Sequence, residues 1–184
     1  MRLFIGIDVP YEMRRNLELL LQHLQPKADI QWSSLKNLHI TTKFIGDWPD
    51  DDLDVLKAAL HEVPVAGDLR IAIQGLGWFP NPHQPRVFYA GIQAFDGLKN
   101  LARETDLLCG TQLDIPPELK PHHPHLTLAR IKRPTDLFPL KKAIAELPSL
   151  EFGAFTATHF HLYESKLLPG GSAYTKLASY PLAK

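Results

Sequence analysis

The sequence is short of several things, and each shortage narrows what the protein does. Its 184 residues contain one cysteine, Cys109, so no intrachain disulfide forms and a reducing compartment is the expected setting. Neither sign of charge is in excess, because 20 Lys and Arg balance 20 Asp and Glu. That balance argues against a protein that coats long stretches of nucleic acid, whose affinity rests on many Lys and Arg contacts to phosphates. A local positive pocket gripping one phosphate stays compatible with it. No stretch approaches the roughly 20 apolar residues of a membrane span. The opening residues Met1 to Asp8 lack the long apolar core of a signal peptide. A cytoplasmic protein without a membrane partner is therefore expected. Gly-x-Ser-x-Gly is absent, and Cys109 falls on the apolar face of a helix, so no activated Ser or Cys nucleophile is evident.

What is present is an ordinary globular composition, 45% hydrophobic and 22% charged, long enough to bury a core as one domain or two packed lobes. Leu3 to Val9 reads as a buried strand, and Pro10 opens a helix to about Leu24 with Met13, Leu17, Leu20, Leu21 and Leu24 on one face. A strand spans Leu38 to Ile45. Asp50, Asp51 and Asp52 suit the positive end of a second helix carrying Leu53, Leu56, Leu60 and Val63. Leu69 to Leu76 is a strand, and Trp78 to Gln84 a Pro-rich loop at mid-chain. Arg86 to Ile92 is a strand, and Asp96 caps a helix with Leu98, Leu101, Ala102, Thr105 and Leu108 inward. The strand around His125 follows, then a helix from Asp136 with Leu140, Ala143, Ile144 and Leu147. Strands from Phe155 to Tyr163 and from Ala173 to Tyr180 close the chain around a Gly170-Gly171 turn.

Two stretches share a kernel. Leu38-His39-Ile40-Thr41-Thr42-Lys43-Phe44-Ile45 and Pro124-His125-Leu126-Thr127-Leu128-Ala129-Arg130 both read His-x-Thr inside an apolar, β-prone run. On a strand, side chains two apart share a face, so each imidazole stands beside a hydroxyl. A single strand His is more often a hydrogen-bonded structural residue than a catalyst, but that reading predicts no matched second copy. The surroundings repeat as well: Arg2-Leu3-Phe4-Ile5-Gly6-Ile7 echoes Arg86-Val87-Phe88-Tyr89-Ala90-Gly91-Ile92, and the interval from each Arg to its His is nearly the same. An internal repeat of roughly residues 2–77 and 86–164 follows. The expected fold is a single α+β domain over residues 1–184: two pseudo-symmetric antiparallel-sheet lobes, helices outside, and a cleft between them.

Two imidazoles facing one point work as base and acid, since histidine titrates near pH 6.5. Each well-placed proton transfer contributes roughly 10²–10⁴-fold. Threonine hydroxyls donate to phosphoryl oxygens that gain charge in the transition state. The fitting chemistry is in-line attack of water, or another hydroxyl, on a phosphodiester.

The paired motifs resemble those of the 2H phosphoesterase superfamily. With Arg2-Leu3-Phe4, Pro85-Arg86-Val87-Phe88 and Leu162-Tyr163-Glu164-Ser165, the chain is similar over its whole length to the bacterial and archaeal RNA 2′,3′-cyclic phosphodiesterases, also called 2′–5′ RNA ligases. The resemblance implies a bilobal α+β fold, no cofactor and no metal. It implies opening of a 2′,3′-cyclic phosphate on an RNA end or oligonucleotide to a 2′-phosphate, possible reversal as 2′–5′ ligation, and a monomer. His39 and His125 are then acid and base in interchangeable roles, with His125 favoured for activating water, and Thr41 and Thr127 hold the phosphate. No Lys-x-Asp-Gly motif appears, which argues against an ATP-dependent ligase. Phosphoesterase action on another small cyclic or 2′–5′ linked nucleotide, and a non-catalytic RNA-end binding module, are the competing readings.

Further substrate-binding candidates are Lys43, Arg130, Arg2, Arg86 and Tyr163. Alternation puts Lys43 on the face of His39 and Thr41, whereas it turns Arg130 away from His125, although the resemblance favours a functional Arg130. Arg2 and Arg86 occupy equivalent places in the repeat. Trp78, Phe79, Tyr163 and Tyr174 are candidates for stacking a base. His122, His123 and His125 invite a metal reading, but Pro124 excludes a regular helix there and no acid or Cys is close in sequence. His159 and His161 share a face read as a solvated one.

Overall fold

In the computed structural model, which describes residues 1–94 and 96–183, one sheet organises the chain. The strands are β1 (Arg2–Asp8), β2 (Gln31–Trp32), β3 (His39–Asp47), β4 (Leu69–Phe79), β5 (Val87–Gln93), β6 (His125–Arg130), β7 (Glu151–Ala157), β8 (His159–Leu168) and β9 (Gly171–Pro181). The helices are α1 (Tyr11–Leu24), α2 (Leu53–Leu60), α3 (Asp96–Leu113) and α4 (Phe138–Ala145). The order across the sheet is β7-β4-β5-β6-β3-β1-β8-β9, with β2 paired to the end of β6. Pairing is antiparallel throughout.

That order splits into two four-strand halves, β3-β1-β8-β9 and β6-β5-β4-β7, meeting where the two motif strands touch. Each half draws on both halves of the sequence. After α2, the chain enters β4 beside β5, while β8 pairs with β1. The helices cross over too: α1 packs on β7, where Asn16 donates to the Phe152 carbonyl at 3.0 Å, and α3 packs behind β3. α4 closes on the β4–β5 loop, with Lys141 donating to the Pro82 carbonyl at 2.7 Å. The amphipathic spacing read from the sequence is obeyed, since Leu17, Leu20, Leu21 and Leu24 of α1 and Leu98, Leu101, Ala102, Thr105 and Leu108 of α3 are buried. Fully burying each such leucine contributes on the order of 1.5–3 kcal/mol.

Two differences from the sequence expectation bear on how the strands pair. The mid-chain loop begins later, because β4 continues through Trp78 and Phe79, which pair with Phe88 and Val87. The strand expected from Phe155 to Tyr163 is two strands broken at Thr158, and they lie in opposite halves of the sheet. Periodicity along one segment carries no information about which neighbour it pairs with, so it misses such a crossing. Among the described residues, no helix is long and apolar enough to cross a membrane.

Candidate functional site

The site is built where β3 meets β6. Ile40 pairs with Leu126, each being the middle residue of its His-x-Thr motif. One step along that antiparallel register sets His39 across from Thr127 and Thr41 across from His125. Directly opposed residues share a face, so all four side chains fall on the same side of the sheet. Ile40 and Leu126, both fully buried, point the other way into the core.

Each motif strand then carries a β-bulge at the same place. In β3, Lys43 pairs with Ile5 and Thr41 with Gly6, which leaves Thr42 as the extra residue. In β6, Ala129 pairs with Phe88 and Thr127 with Tyr89, so Leu128 is extra. Burial runs half-buried, buried, half-buried, buried, buried, exposed from His39 to Phe44 and again from His125 to Arg130. A bulge shifts side-chain parity by one, and here it overturns two expectations.

Lys43 does not face the site. It turns to the buried side, where its Nζ donates to Asp106 Oδ1 at 2.7 Å and to the Pro116 carbonyl at 2.8 Å, with Glu118 Oε1 at 3.6 Å. Arg130, which alternation sent away, is returned to the His125 face. There its charge bears on both imidazoles. The counterpart of Arg130 in β3 is Phe44, 61% exposed on the same face, a residue the sequence reading passed over as one more apolar strand position.

The two imidazoles are held by the same device. His39 Nδ1 lies 2.7 Å from the Asn37 carbonyl, and His125 Nδ1 lies 2.8 Å from the His123 carbonyl. A carbonyl only accepts, so Nδ1 carries the hydrogen in both rings and Nε2 is left for chemistry. His39 Nε2 is 2.9 Å from Thr41 Oγ1. Burial holds both imidazoles below the usual histidine range. For His39, the Asn37 carbonyl opposes that, His125 and Arg130 reinforce it, and Asp8 opposes it. For His125, the His123 carbonyl opposes it, while His123, His122 and Arg130 reinforce it. Asp8 pairs directly with His39 across β1 and β3, whereas the residue opposite His125 is Gly91. The site is thus symmetric in shape but not in charge. The signal for Asp8 was an acid closing an otherwise apolar strand.

Aromatic rings wall each imidazole. His39 lies against Phe4, with centroids 4.6 Å apart, and edge-on to Tyr174 at 5.0 Å. His125 lies edge-on to Phe79 at 4.9 Å and to Tyr89 at 5.6 Å. Of the stacking candidates, Phe79 and Tyr174 therefore stand at the site. Trp78 packs on buried Phe88. Tyr163 stacks on Phe4 at 5.0 Å, but it is only 7% exposed, so it is wall rather than open platform. Burial and then Asp8 push its hydroxyl well above the usual tyrosine range.

Of the two remaining arginine candidates, Arg2 does not stand beside the histidines. Arg2 pairs with Asp47, six residues along β1 from the Asp8–His39 pair, or about 20 Å of strand. Nor are the two equivalent. Ile5 sits opposite Lys43 as Phe88 sits opposite Ala129, which matches Arg86 to Leu3, one position off the apparent sequence repeat. Arg86 is exposed at the start of β5.

His161, read as solvated, is 9% exposed and shares a hydrogen bond with Ser179 Oγ at 2.8 Å. It occupies the row of Thr41 across side-chain-free Gly6, while His159 is exposed. His122 Nε2 lies 2.9 Å from the Thr41 carbonyl, tying the approach to β6 onto β3. Among the described residues, no group of three His, Cys, Asp or Glu side chains is arranged to hold a metal ion.

A family model described as LigT like Phosphoesterase matches residues 7–89 and 93–174. The RNA 2′,3′-cyclic phosphodiesterase of Methanocaldococcus jannaschii is 31% identical over 175 residues, 95% of this chain and 96% of its own. The protein of the same name from Thermus thermophilus is 31% identical over 189 residues, covering 99% and 90%. A crystal structure of a Thermus thermophilus protein matches with a TM-score of 0.82 at 30% identity, covering 99% of this chain and 98% of that one. E. coli LigT complexed with 3′-AMP matches with a TM-score of 0.76 at 25% identity, covering 100% and 98%.

Proposed function

The chain belongs to the LigT-like phosphoesterase family, and we propose that it opens 2′,3′-cyclic phosphates at RNA ends to 2′-phosphates by acid–base catalysis between His39 and His125, without a metal. The observation that carries this reading is the Ile40–Leu126 pair, whose register gathers two Nδ1-locked imidazoles and two threonine hydroxyls on one face. The relatives named RNA 2′,3′-cyclic phosphodiesterase support the substrate class.

In the proposed reaction, one Nε2 takes a proton from water as its oxygen attacks phosphorus. The opposite Nε2, protonated, gives its proton to the departing 3′ oxygen. One P–O bond forms, one breaks, and the product is a 2′-phosphate beside a free 3′-hydroxyl. Thr41 and Thr127 donate to the non-bridging oxygens, and Arg130 supplies the counter-charge that an anionic pentacoordinate phosphorus needs. Attack by a 5′-hydroxyl in place of water is the same step run as ligation. The charge asymmetry favours His39 as the proton donor, because Asp8 stabilises its cation, whereas the residue paired opposite His125 is Gly91.

The test is incubation of the protein with a 2′,3′-cyclic nucleotide in EDTA, following formation of the 2′-nucleotide. Turnover insensitive to EDTA is expected. Loss of turnover in EDTA would sink the metal-free scheme, and binding without turnover would leave an RNA-end module instead.

A further inference from the structure

A groove of about 1200 Å³ opens on the His125 side of the sheet. Its walls are the loop from Pro80 to Arg86, between β4 and β5, and the segment from Ile131 to Phe138, between β6 and α4. Phe79 lines one end, and the same ring stands edge-on to His125. Val87 also lines it and is the direct cross-strand partner of Arg130. The groove thus borders the candidate site through Phe79 and Val87, while His125 and Arg130 themselves lie outside its lining. Its volume exceeds the roughly 300–1,000 Å³ of ordinary small-ligand pockets.

Its charge is far from that of the whole chain. Arg86, Lys120, Lys132, Arg133 and Lys141 line it against a single acid, Asp136, in a protein whose 20 basic and 20 acidic residues balance. All five basic side chains are exposed. The Arg133 pair with Asp29, at 3.0 Å, has both partners in solvent, and such pairs are worth little. Asp136 turns one carboxylate oxygen to the Phe138 amide at 3.0 Å. Phe138 itself lines the groove and is 71% exposed, an apolar ring left beside a row of cations. Cations tracking a backbone, with an aromatic face for a base, are the elements of single-strand nucleic-acid binding.

We propose that this groove is a second subsite, outside the two-histidine face, that holds the nucleotides immediately 5′ of the cyclic end. The proposal rests on the function assigned above to His39 and His125. It reconciles a zero net charge with an RNA substrate, because the phosphate-binding charge is concentrated beside the site instead of spread over the surface.

The experiment compares a 2′,3′-cyclic mononucleotide with a short single-stranded oligoribonucleotide carrying the same cyclic end. Both are assayed over a range of salt, with the parent and a Lys120→Gln, Lys132→Gln, Arg133→Gln triple variant. The parent is expected to show a KM for the oligonucleotide at least ten-fold below that for the mononucleotide. The triple variant should raise the oligonucleotide KM about ten-fold or more, leave kcat and the mononucleotide kcat/KM unchanged, and reduce the salt slope by about two. A single Lys132→Gln variant should show the same trend at smaller size, which keeps the test usable if the triple variant folds poorly. Equal KM values for the two substrates in the parent, or an unchanged oligonucleotide KM in the variants, would overturn the groove. Turnover of neither substrate would overturn the assigned function instead. Fluorescence anisotropy with a 2′-phosphate-ended oligonucleotide then reads the groove alone: salt-sensitive binding lost in the triple variant upholds it, and binding unaffected by the variant rejects it.

Discussion

Ile40 of β3 and Leu126 of β6 pair across the centre of the sheet, both without solvent exposure. They contribute nothing polar, yet their pairing fixes where four polar side chains stand. One residue to either side lies a histidine or a threonine, so a slip by one position would turn the whole set into the core.

Removing either imidazole should abolish most turnover without unfolding the chain. His39→Ala and His125→Ala are each expected to lower kcat at least about 10²-fold. Thermal melts followed by circular dichroism should stay near the parent, since both rings are only half-buried. Near-parental activity in either variant would rule out a two-histidine scheme.

Charge asymmetry should separate the two histidines in the pH profile of kcat/KM. Asp8 pairs with His39 and raises its pKa, whereas Gly91 stands opposite His125, so Asp8→Asn should move chiefly the limb belonging to His39, and towards lower pH. The alkaline limb should move if His39 is the acid, and the acidic limb if it is the base. Arg130 lowers both, so Arg130→Gln should carry both limbs upward, with a drop in kcat from the lost counter-charge. A profile flat between pH 5 and 9 would contradict paired acid–base catalysis.

Lys43 should matter for stability rather than for catalysis. Its ammonium is 2% exposed and held by Asp106. Asp106→Ala leaves that cation buried with only the Pro116 carbonyl and the more distant Glu118 carboxylate, and should cost about 3–5 kcal/mol in denaturant unfolding. Lys43→Met removes the charge along with the need for its partner and should cost much less. The kcat of the folded Lys43→Met enzyme should stay within a few-fold of the parent. A selective rise in KM would place Lys43 back at the substrate.

His161 should make the fold acid-sensitive. Its pKa is lowered to about 4 by burial first and then by Lys176. Below the ordinary histidine value the unfolded chain binds the proton more readily, so stability rises with pH and falls as pH drops from about 6.5 towards 4. The melting temperature should fall through that window, and His161→Gln should flatten the fall. An equal slope in the variant would assign the sensitivity to other groups.

The chemistry on offer was legible along the chain alone. Two His-x-Thr kernels were visible because both fixed residues lie two apart on one strand, and face-sharing at that spacing is a local property. The buried faces of α1 and α3 were visible for the same reason, through the helical period. Which other residues join the site was left to the pairing of strands. Lys43 was misplaced, and alternation argued wrongly against Arg130, because bulges at Thr42 and Leu128 exist only in register with Ile5 and Phe88, residues far away in sequence. Asp8, Phe44 and the basic groove escaped notice because their neighbours come from other strands and loops. Pairing between strands is a non-local choice, made by the packing of Ile40, Leu126 and the core behind them. Periodicity along a single segment carries no trace of it.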